Sequence, residues 1–337
     1  MTDKLLDIDS EETVRLSVNE AQALGEKVLR NIGFTPGDAT IVTTHLVDAS
    51  MWGYEFAGLP RILVIAERPE LKKPRTPLSI VRETPVSALL DGGNHVGYIN
   101  ILRAAEIAIE KVRKSGIAIV GVRNSWFSGR NAYYMEKIAR AGYAAIYTAS
   151  STPTVVPPGA TRKVLGTNPM TIALPGKVNP FIFDMGTAAV MSGEILMKAF
   201  LGEEFPEVVG IDKHGAPTRV ARDMVDGGVI PFGGHRGYGL SIAIQALGLM
   251  AGARIRNGDV SDFAHLFIAF DPELFMPTEQ FTAELEELLT RIKALPRQPG
   301  VAEIRIPSER GFREREIRRK QGILVKKMVV ERLRQMS

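Results

Sequence analysis

Apolar residues recur at helical spacing from the start of the chain. In residues 16–34, Ala21, Leu24, Val28 and Ile32 fall near one face, which predicts an amphipathic helix. Ser17 stands at its N-cap, Glu20 completes a capping box, and Gly33 ends it. A second helix follows Thr35-Pro36-Gly37-Asp38 and runs to about Trp52, with helical extension over 59–67 after Gly58. Beyond a Lys/Pro-rich connection (69–77), residues 79–84 and 86–91 read as strands bounded by Pro85 and Gly92-Gly93. A helix is predicted over 97–115, with Ile101, Ala104, Ala105, Ala108 and Val112 inward and Gly116 as cap. A buried strand (117–122), a helix (131–141) and a strand (144–149) follow.

The pattern then changes. V-L-G-T-N-P, T-I-A-L-P and F-I-F-D-M are short apolar pieces punctuated by Pro and Gly between residues 164 and 185. Parallel crossovers need a dozen or more residues, so this region is expected to be largely antiparallel. No G-x-G-x-x-G follows a strand, which argues against a Rossmann domain. Further helices are expected at 186–200, 238–253 and 278–294. The second of these is apolar nearly all round and so expected to be buried. Residues 301–306 alternate like a half-exposed strand, and a basic helix follows Pro307.

At 337 residues the chain can bury a large core in two domains or one large one. No apolar run approaches 18 residues, which predicts no membrane span. The acidic N-terminus lacks a signal-peptide core, and a cytoplasmic enzyme is the simplest expectation. The absence of cysteine excludes disulfides and thiol catalysis. The net charge of +4 is concentrated at the C-terminus, where residues 308–337 hold ten Lys/Arg against four Asp/Glu. Phe312 is the only aromatic there, so the basic face is expected to be solvated or a subunit contact, without nucleic acid as partner.

Several strings put turn-forming residues beside apolar runs, as needed where backbone approaches a ligand closely. They are N-H-V-G-Y (94–98), G-I-A-I-V-G-V-R-N-S (116–125), P-P-G (157–159), L-G-T-N-P (165–169), F-D-M (183–185), G-G-H-R-G-Y-G-L (233–240), I-P-S-E-R (306–310) and Q-G-I (321–323). Their order and spacing resemble the malate/L-lactate dehydrogenase family that lacks a Rossmann domain. That family includes ureidoglycolate dehydrogenase, diketogulonate reductase and piperideine- and pyrroline-2-carboxylate reductases.

The resemblance implies a mixed α+β fold: a non-Rossmann nicotinamide-binding domain with a largely antiparallel sheet, and a second domain built from both chain ends. Residues 86–295 would form the first, with a helical insertion about 188–230, and residues 1–85 with 296–337 the second. It implies a homodimer, NAD or NADP as cofactor, and a small carboxylate substrate. Thr167, Asn168, Phe183, Asp184, Met185, Gly186 and Thr187 match the family's cofactor-contacting run, as do Ser308, Glu309 and Arg310 near the C-terminus. Residue chemistry agrees in part: Gly-rich turns offer backbone N–H groups to phosphate, and an Arg adds charge. Asn168 reads equally as an Asn-Pro turn, and Asp184 equally as a helix N-cap. Arg61, three residues after Gly58, matches the Arg that holds the substrate carboxylate in the family, a task suited to a guanidinium fork.

The chain departs from the family at three positions. Ala57 and Phe56 stand in G-Y-E-F-A-G where the family carries a His and a Ser, and Phe127 follows R-N-S-W where a second His is expected. Both imidazoles that would exchange a proton with substrate are absent, and such catalysis is worth roughly 10²–10⁴-fold. Three accounts follow: a cyclic-imine substrate that needs no enzyme acid, a substitute donor with Tyr54 foremost and Ser125 or Ser128 behind it, or a nucleotide-binding protein without turnover. Tyr54, Phe56, Trp126 and Phe127 would form an aromatic wall suited to a substrate larger or more apolar than malate or lactate. His45 is expected to be a hydrogen-bonded core or interface residue, and His95 and His235 turn residues.

Overall fold

The computed structural model describes residues 13–256, 259–260 and 263–337. The acidic stretch 1–12 lies outside the described residues. The chain begins with β1 (Thr13–Leu16), α1 (Val18–Asn31), α2 (Pro36–Met51), a 3-10 turn (Glu55–Ala57) and α3 (Arg61–Glu67). Next come β2 (Ser79–Thr84), β3 (Ser87–Val96), α4 (Gly97–Ser115), β4 (Ile117–Trp126), α5 (Ala132–Arg140), β5 (Ala144–Ser150), β6 (Met170–Leu174) and β7 (Phe181–Met185). A small unit follows: α6 (Ser192–Leu201), β8 (Gly210–Ile211), β9 (Pro217–Thr218), α7 (Ala221–Asp226) and β10 (Gly228–Val229). The chain closes with α8 (His235–Met250), β11 (Ile255–Arg256), β12 (Asp259–Val260), β13 (Ala264–Phe270), α9 (Thr278–Lys293), α10 (Glu309–Gln321), β14 (Ile323–Lys326) and α11 (Lys327–Gln335).

Local signals in the sequence set the helix ends. The Ser17 hydroxyl accepts from the Glu20 N–H, and the Glu20 carboxylate accepts from the Ser17 N–H, so the expected capping box caps α1. The Thr35 hydroxyl caps α2 by accepting from the Asp38 N–H, and Gly116 ends α4 in the left-handed conformation.

Seven strands form one sheet in the order β2-β3-β4-β13-β5-β6-β7. Only β3 and β4 run parallel, joined through α4; every other neighbouring pair is antiparallel. The antiparallel character expected for 144–185 is present, and there is no doubly wound nucleotide fold. The registers Val96↔Trp126, Ala264↔Ser150, Thr148↔Met170 and Met170↔Met185 bring six strand ends to one rim. Buried Ala, Val and Ile from the sheet pack against α4 and α5 beneath it.

The two ends of the chain meet. β1 pairs with β14 from Thr13↔Lys326 to Leu16↔Ile323, and α1 and α11 share a core with α2 and α3. β2 joins the large sheet, so the residues just before 86 belong with it. The segment expected as a helical insertion also carries a three-stranded sheet, β10-β8-β9.

Three expectations are corrected. Residues 301–306 form no strand. His95 lies within β3, which runs on through Gly92-Gly93 to Val96. α8 is not buried all round: its small or polar positions Gly237, Ser241, Gln245 and Gly248 are buried with Ile244, while Ile242, Leu249 and Met250 are exposed. Close helix–sheet packing selects small residues inward, which leaves the large apolar ones facing out. Among the described residues no helix is long and apolar enough to cross a membrane.

Candidate active site

The three strings at 164–170, 181–190 and 230–240 are knitted together at the sheet rim. The Thr187 N–H and hydroxyl both donate to the Thr167 carbonyl, at 2.8 and 3.1 Å, and the Phe232 N–H donates to the Thr187 carbonyl at 3.1 Å. Asn168, in the left-handed conformation at φ 34°, donates from Nδ2 to the Ser241 carbonyl and to Gln245 Oε1 in α8. Its Oδ1 accepts from the Ser151 N–H. Asn168 and Thr187 are completely buried, so their side chains shape the rim from within. Gly233 and Gly234 both have positive φ and precede α8, and a Cβ on either would meet no heavy atom within 4 Å.

Asp184, next to that rim on β7, accepts from the Ala132 N–H at the start of α5 (3.0 Å) and from the Thr171 hydroxyl (2.8 Å). It thus caps a helix across the sheet. Burial pushes its carboxyl above the usual range, against the Thr171, Ala132 and Asn131 hydrogen bonds and the Arg130 charge. The side chain still reaches solvent, so water screens much of that effect. Phe183 is exposed beside it, and Met185 and Gly186 are half-exposed at the rim.

The C-terminal triplet divides. Ser308, at φ 69°, donates its hydroxyl to the Ile182 carbonyl on β7 (2.7 Å). Arg310 is exposed, lies over the Tyr54 ring at 5.9 Å and closes on Gly53. Glu309 turns away and pairs with Lys293 (2.6 Å), so its carboxylate does not join Arg310 at the crevice.

Arg61 opens α3. The G-L-P-R turn before it fits tightly under α2: a Cβ at Gly58 would lie 1.9 Å from Ser50 Oγ. Only glycine permits that approach. The Arg61 guanidinium lies 4.3 Å from the Phe127 ring centre and 5.4 Å from that of Phe56. Phe127 holds φ 63°, a strained conformation for a bulky residue. Arg68 stacks on the same ring at 4.9 Å, but Glu70 takes its charge through two 3.0 Å hydrogen bonds. No carboxylate among the described residues pairs with Arg61. The cation is therefore available to an anionic ligand.

The rest of the expected aromatic wall divides as well. Phe56 and Tyr54 are exposed, Ala57 half-buried, and Phe127 half-buried against Phe263 (6.2 Å). Trp126 is buried and donates its indole N–H to the Asn94 carbonyl (3.0 Å), so it supports Phe127 from behind. His45 is a core residue, as expected: its Nε2 accepts from the Arg130 N–H (2.9 Å), and burial holds its pKa well below the ordinary value. His235 opens α8 after the two glycines.

Sequence reasoning did not single out a buried ionic cluster below the rim. Arg130 pairs with Asp48, Arg315 pairs with Glu136 (2.8 Å) and approaches Asp48 (3.5 Å), and both guanidiniums lie over Trp52. An isolated Arg or Asp in a sequence carries no mark of such pairing. Two cavities of about 600 and 700 Å³ lie elsewhere, one beside α4 and one beneath α9, and neither includes Arg61, Asp184 or Gly186.

The rim's chemistry fits a pyridine dinucleotide. It offers closely packed turns and two cations, Arg310 and Arg61, that no acid among the described residues pairs with. The family described as malate/L-lactate dehydrogenase matches residues 16–334. The chain is 35% identical over 351 residues to a malate dehydrogenase of Pyrococcus abyssi, covering 97% of this chain and 95% of that one. It is 31% identical over 238 residues to a Δ1-pyrroline-2-carboxylate/Δ1-piperideine-2-carboxylate reductase of Pseudomonas putida, covering 69% and 70%. The structure of a malate dehydrogenase from Pyrococcus horikoshii superposes with a TM-score of 0.86 at 29% identity, covering 98% of this chain and 97% of that one. The chain belongs to the malate/L-lactate dehydrogenase family and has the make-up of an oxidoreductase.

Proposed function

We propose that this protein is an NAD(P)H-dependent reductase that delivers hydride to C2 of a monocarboxylic 2-oxo or cyclic 2-imino acid, with the imine preferred. The single observation that carries this reading is the unpaired Arg61 guanidinium held on the Phe127 ring, beside a site without an imidazole. A reduced nicotinamide, when bound, supplies the hydride. The chain's residues do the rest. Arg61 grips the carboxylate and fixes the reacting carbon. Phe56 and Phe127 shield that carbon from water and favour an apolar body over a second charged group.

A ketone that accepts hydride becomes an alkoxide and needs a proton at once. A protonated C=N accepts hydride to give a neutral amine, and needs none from the enzyme at that step. The positions of Ala57 and Phe127 suit the second case. Tyr54 is the remaining substitute donor in this reading, since it stands at the crevice mouth beside Arg310.

The cofactor run is Thr167 to Asn168, Phe183 to Thr187 and Ser308 to Arg310, with the backbone providing most contacts. The sheet with residues 86–295 forms the nicotinamide-binding domain, and the joined chain ends form the second. The exposed apolar face of α8 is the contact of a homodimer. The same loss of imidazoles supports a second reading, a homologue that binds dinucleotide without turnover. NADH and NADPH oxidation with Δ1-pyrroline-2-carboxylate, Δ1-piperideine-2-carboxylate and a set of 2-oxo acids separates the two. Turnover with a cyclic imine supports the reductase; dinucleotide binding by calorimetry with no turnover on any of them supports the second reading.

A further inference from the structure

We propose that Tyr98 is a positioning residue that seats Arg61 for carboxylate binding, an inference that rests on the reading of Arg61 given above. Tyr98 opens α4 at the end of the parallel β3–β4 pair, directly under the turn that carries Phe127. It is 1% exposed and packs in one core with Leu59, Ile62, Val96 and Trp126, the residues around Arg61 and Phe127. Its ring stands edge-on to His45 at 4.7 Å, and a Cβ on Gly129 would lie 2.3 Å from its Cε1. The ring is therefore fixed on both sides.

The hydroxyl at the end of that ring completes no hydrogen bond among the described residues. A buried polar group left unsatisfied costs about 1–3 kcal/mol, so its retention here asks for a partner. The Arg61 guanidinium is the charge that acts on it: burial pushes the phenol upward, and Arg61 pulls the other way. The phenol stays protonated across the working range. It thus offers Arg61 a lone pair and keeps a proton to donate. A carboxylate arriving on Arg61 aligns the guanidinium fork, and a small rotation then lets Tyr98 Oη accept from its inner N–H. The hydroxyl acts through Arg61 and neither gives nor takes a proton in the reaction.

Tyr98→Phe removes one oxygen and keeps the ring. The experiment measures wild type, Tyr98→Phe, Arg61→Ala and the double variant with Δ1-pyrroline-2-carboxylate as substrate. Pyrrole-2-carboxylate, a planar analogue, serves as calorimetric probe, and NADH affinity and Tm are recorded alongside. The expected result for Tyr98→Phe is KM raised about tenfold, the worth of a hydrogen bond to a charged group. kcat stays within about threefold, the analogue binds correspondingly more weakly, NADH affinity is unchanged, and Tm holds or rises because the orphaned hydroxyl is gone. Tyr98→Phe has no further effect in the Arg61→Ala background. A structural role alone leaves KM unmoved. An unchanged KM in Tyr98→Phe, with KM raised in Arg61→Ala, overturns the role of Tyr98 and leaves Arg61 standing. An unchanged KM in Arg61→Ala, or no binding of the analogue by wild type, overturns the carboxylate reading and this inference with it. A fall in kcat at constant KM overturns the positioning role.

Discussion

Asp184 on β7 accepts a hydrogen bond from the backbone N–H of Ala132 at the start of α5, 52 residues away in sequence. The same carboxylate accepts from Thr171 on β6, so one side chain ties two strands and a helix together beside the rim. Of the two readings of Asp184, the structure carries the structural one, a carboxylate that caps the first turn of α5. Asp184→Ala should lower stability by about 2 kcal/mol, the sum of a lost cap and a lost hydroxyl partner. Urea unfolding checks this, and a loss below 0.5 kcal/mol, within the ordinary scatter of roughly ±0.5 for surface sites, would refute the clamp.

The buried histidines set an acid limit. His265 is wholly buried, its Nδ1 bonded to the Tyr147 hydroxyl (2.8 Å), and burial lowers its pKa to about 3 from 6.5. His45 shifts the same way. The unfolded chain takes up these protons below pH 6.5 and the folded chain does not, so stability is full above that pH and falls as pH drops toward 3. The depressed carboxyls of Asp91 and Glu136 act only below their ordinary values near 4. The loss between about pH 4.5 and 6.5 therefore comes from histidine, offset in part by Asp184, whose raised carboxyl acts with the opposite sign. His265→Gln keeps an acceptor for Tyr147 and should flatten the loss between pH 7 and 5 by up to about 2 kcal/mol.

Arg310 should matter to cofactor and not to stability. It is exposed and bonded to no acid among the described residues. Arg310→Ala should weaken dinucleotide binding by about three- to tenfold, less at high salt, with Tm unchanged. Calorimetric titration at two ionic strengths measures both effects. Equal affinity in the variant would place the phosphates elsewhere.

The outer face of α8 should hold two chains together. Ile242→Asp with Leu249→Lys puts charge on an exposed apolar stripe and leaves the buried Gly237, Ser241 and Gly248 untouched. Sedimentation should show a dimer for the parent chain and a monomer of retained helicity for the variant. A parent chain that sediments as a monomer would remove the dimer from the account.

Phe127 carries strain and a platform at once. Phe127→Asn relieves a left-handed backbone worth about 1–3 kcal/mol while removing the ring beneath Arg61. Stability should change little, and the substrate KM should rise. A KM that holds while stability falls would mean the ring serves packing only.

The sequence was most legible where local chemistry decides structure. Ser17 and Glu20 announce α1, Gly116 closes α4, and the short pieces between 164 and 185 leave room only for antiparallel strands. The order of turn strings revealed the family. What stayed hidden depends on contacts between distant residues. Asn168 looked like half of a turn, yet its side chain is spent on α8. α8 looked buried because its composition is apolar, and only packing decides that its glycines face inward. Glu309 adjoins Arg310 in sequence, but the helix turns the two side chains in different directions. Tyr98 carried no sign of its neighbour Arg61, 37 positions earlier on another element.

A crystal structure with NADH and pyrrole-2-carboxylate tests the account most directly. The predicted result has the nicotinamide at the rim formed by Thr167, Asp184 and Thr187, its reactive carbon within about 3–3.5 Å of the analogue's C2. The analogue's carboxylate rests on Arg61. Dinucleotide bound in the cavity beneath α9, or a carboxylate held by some other cation, would contradict it.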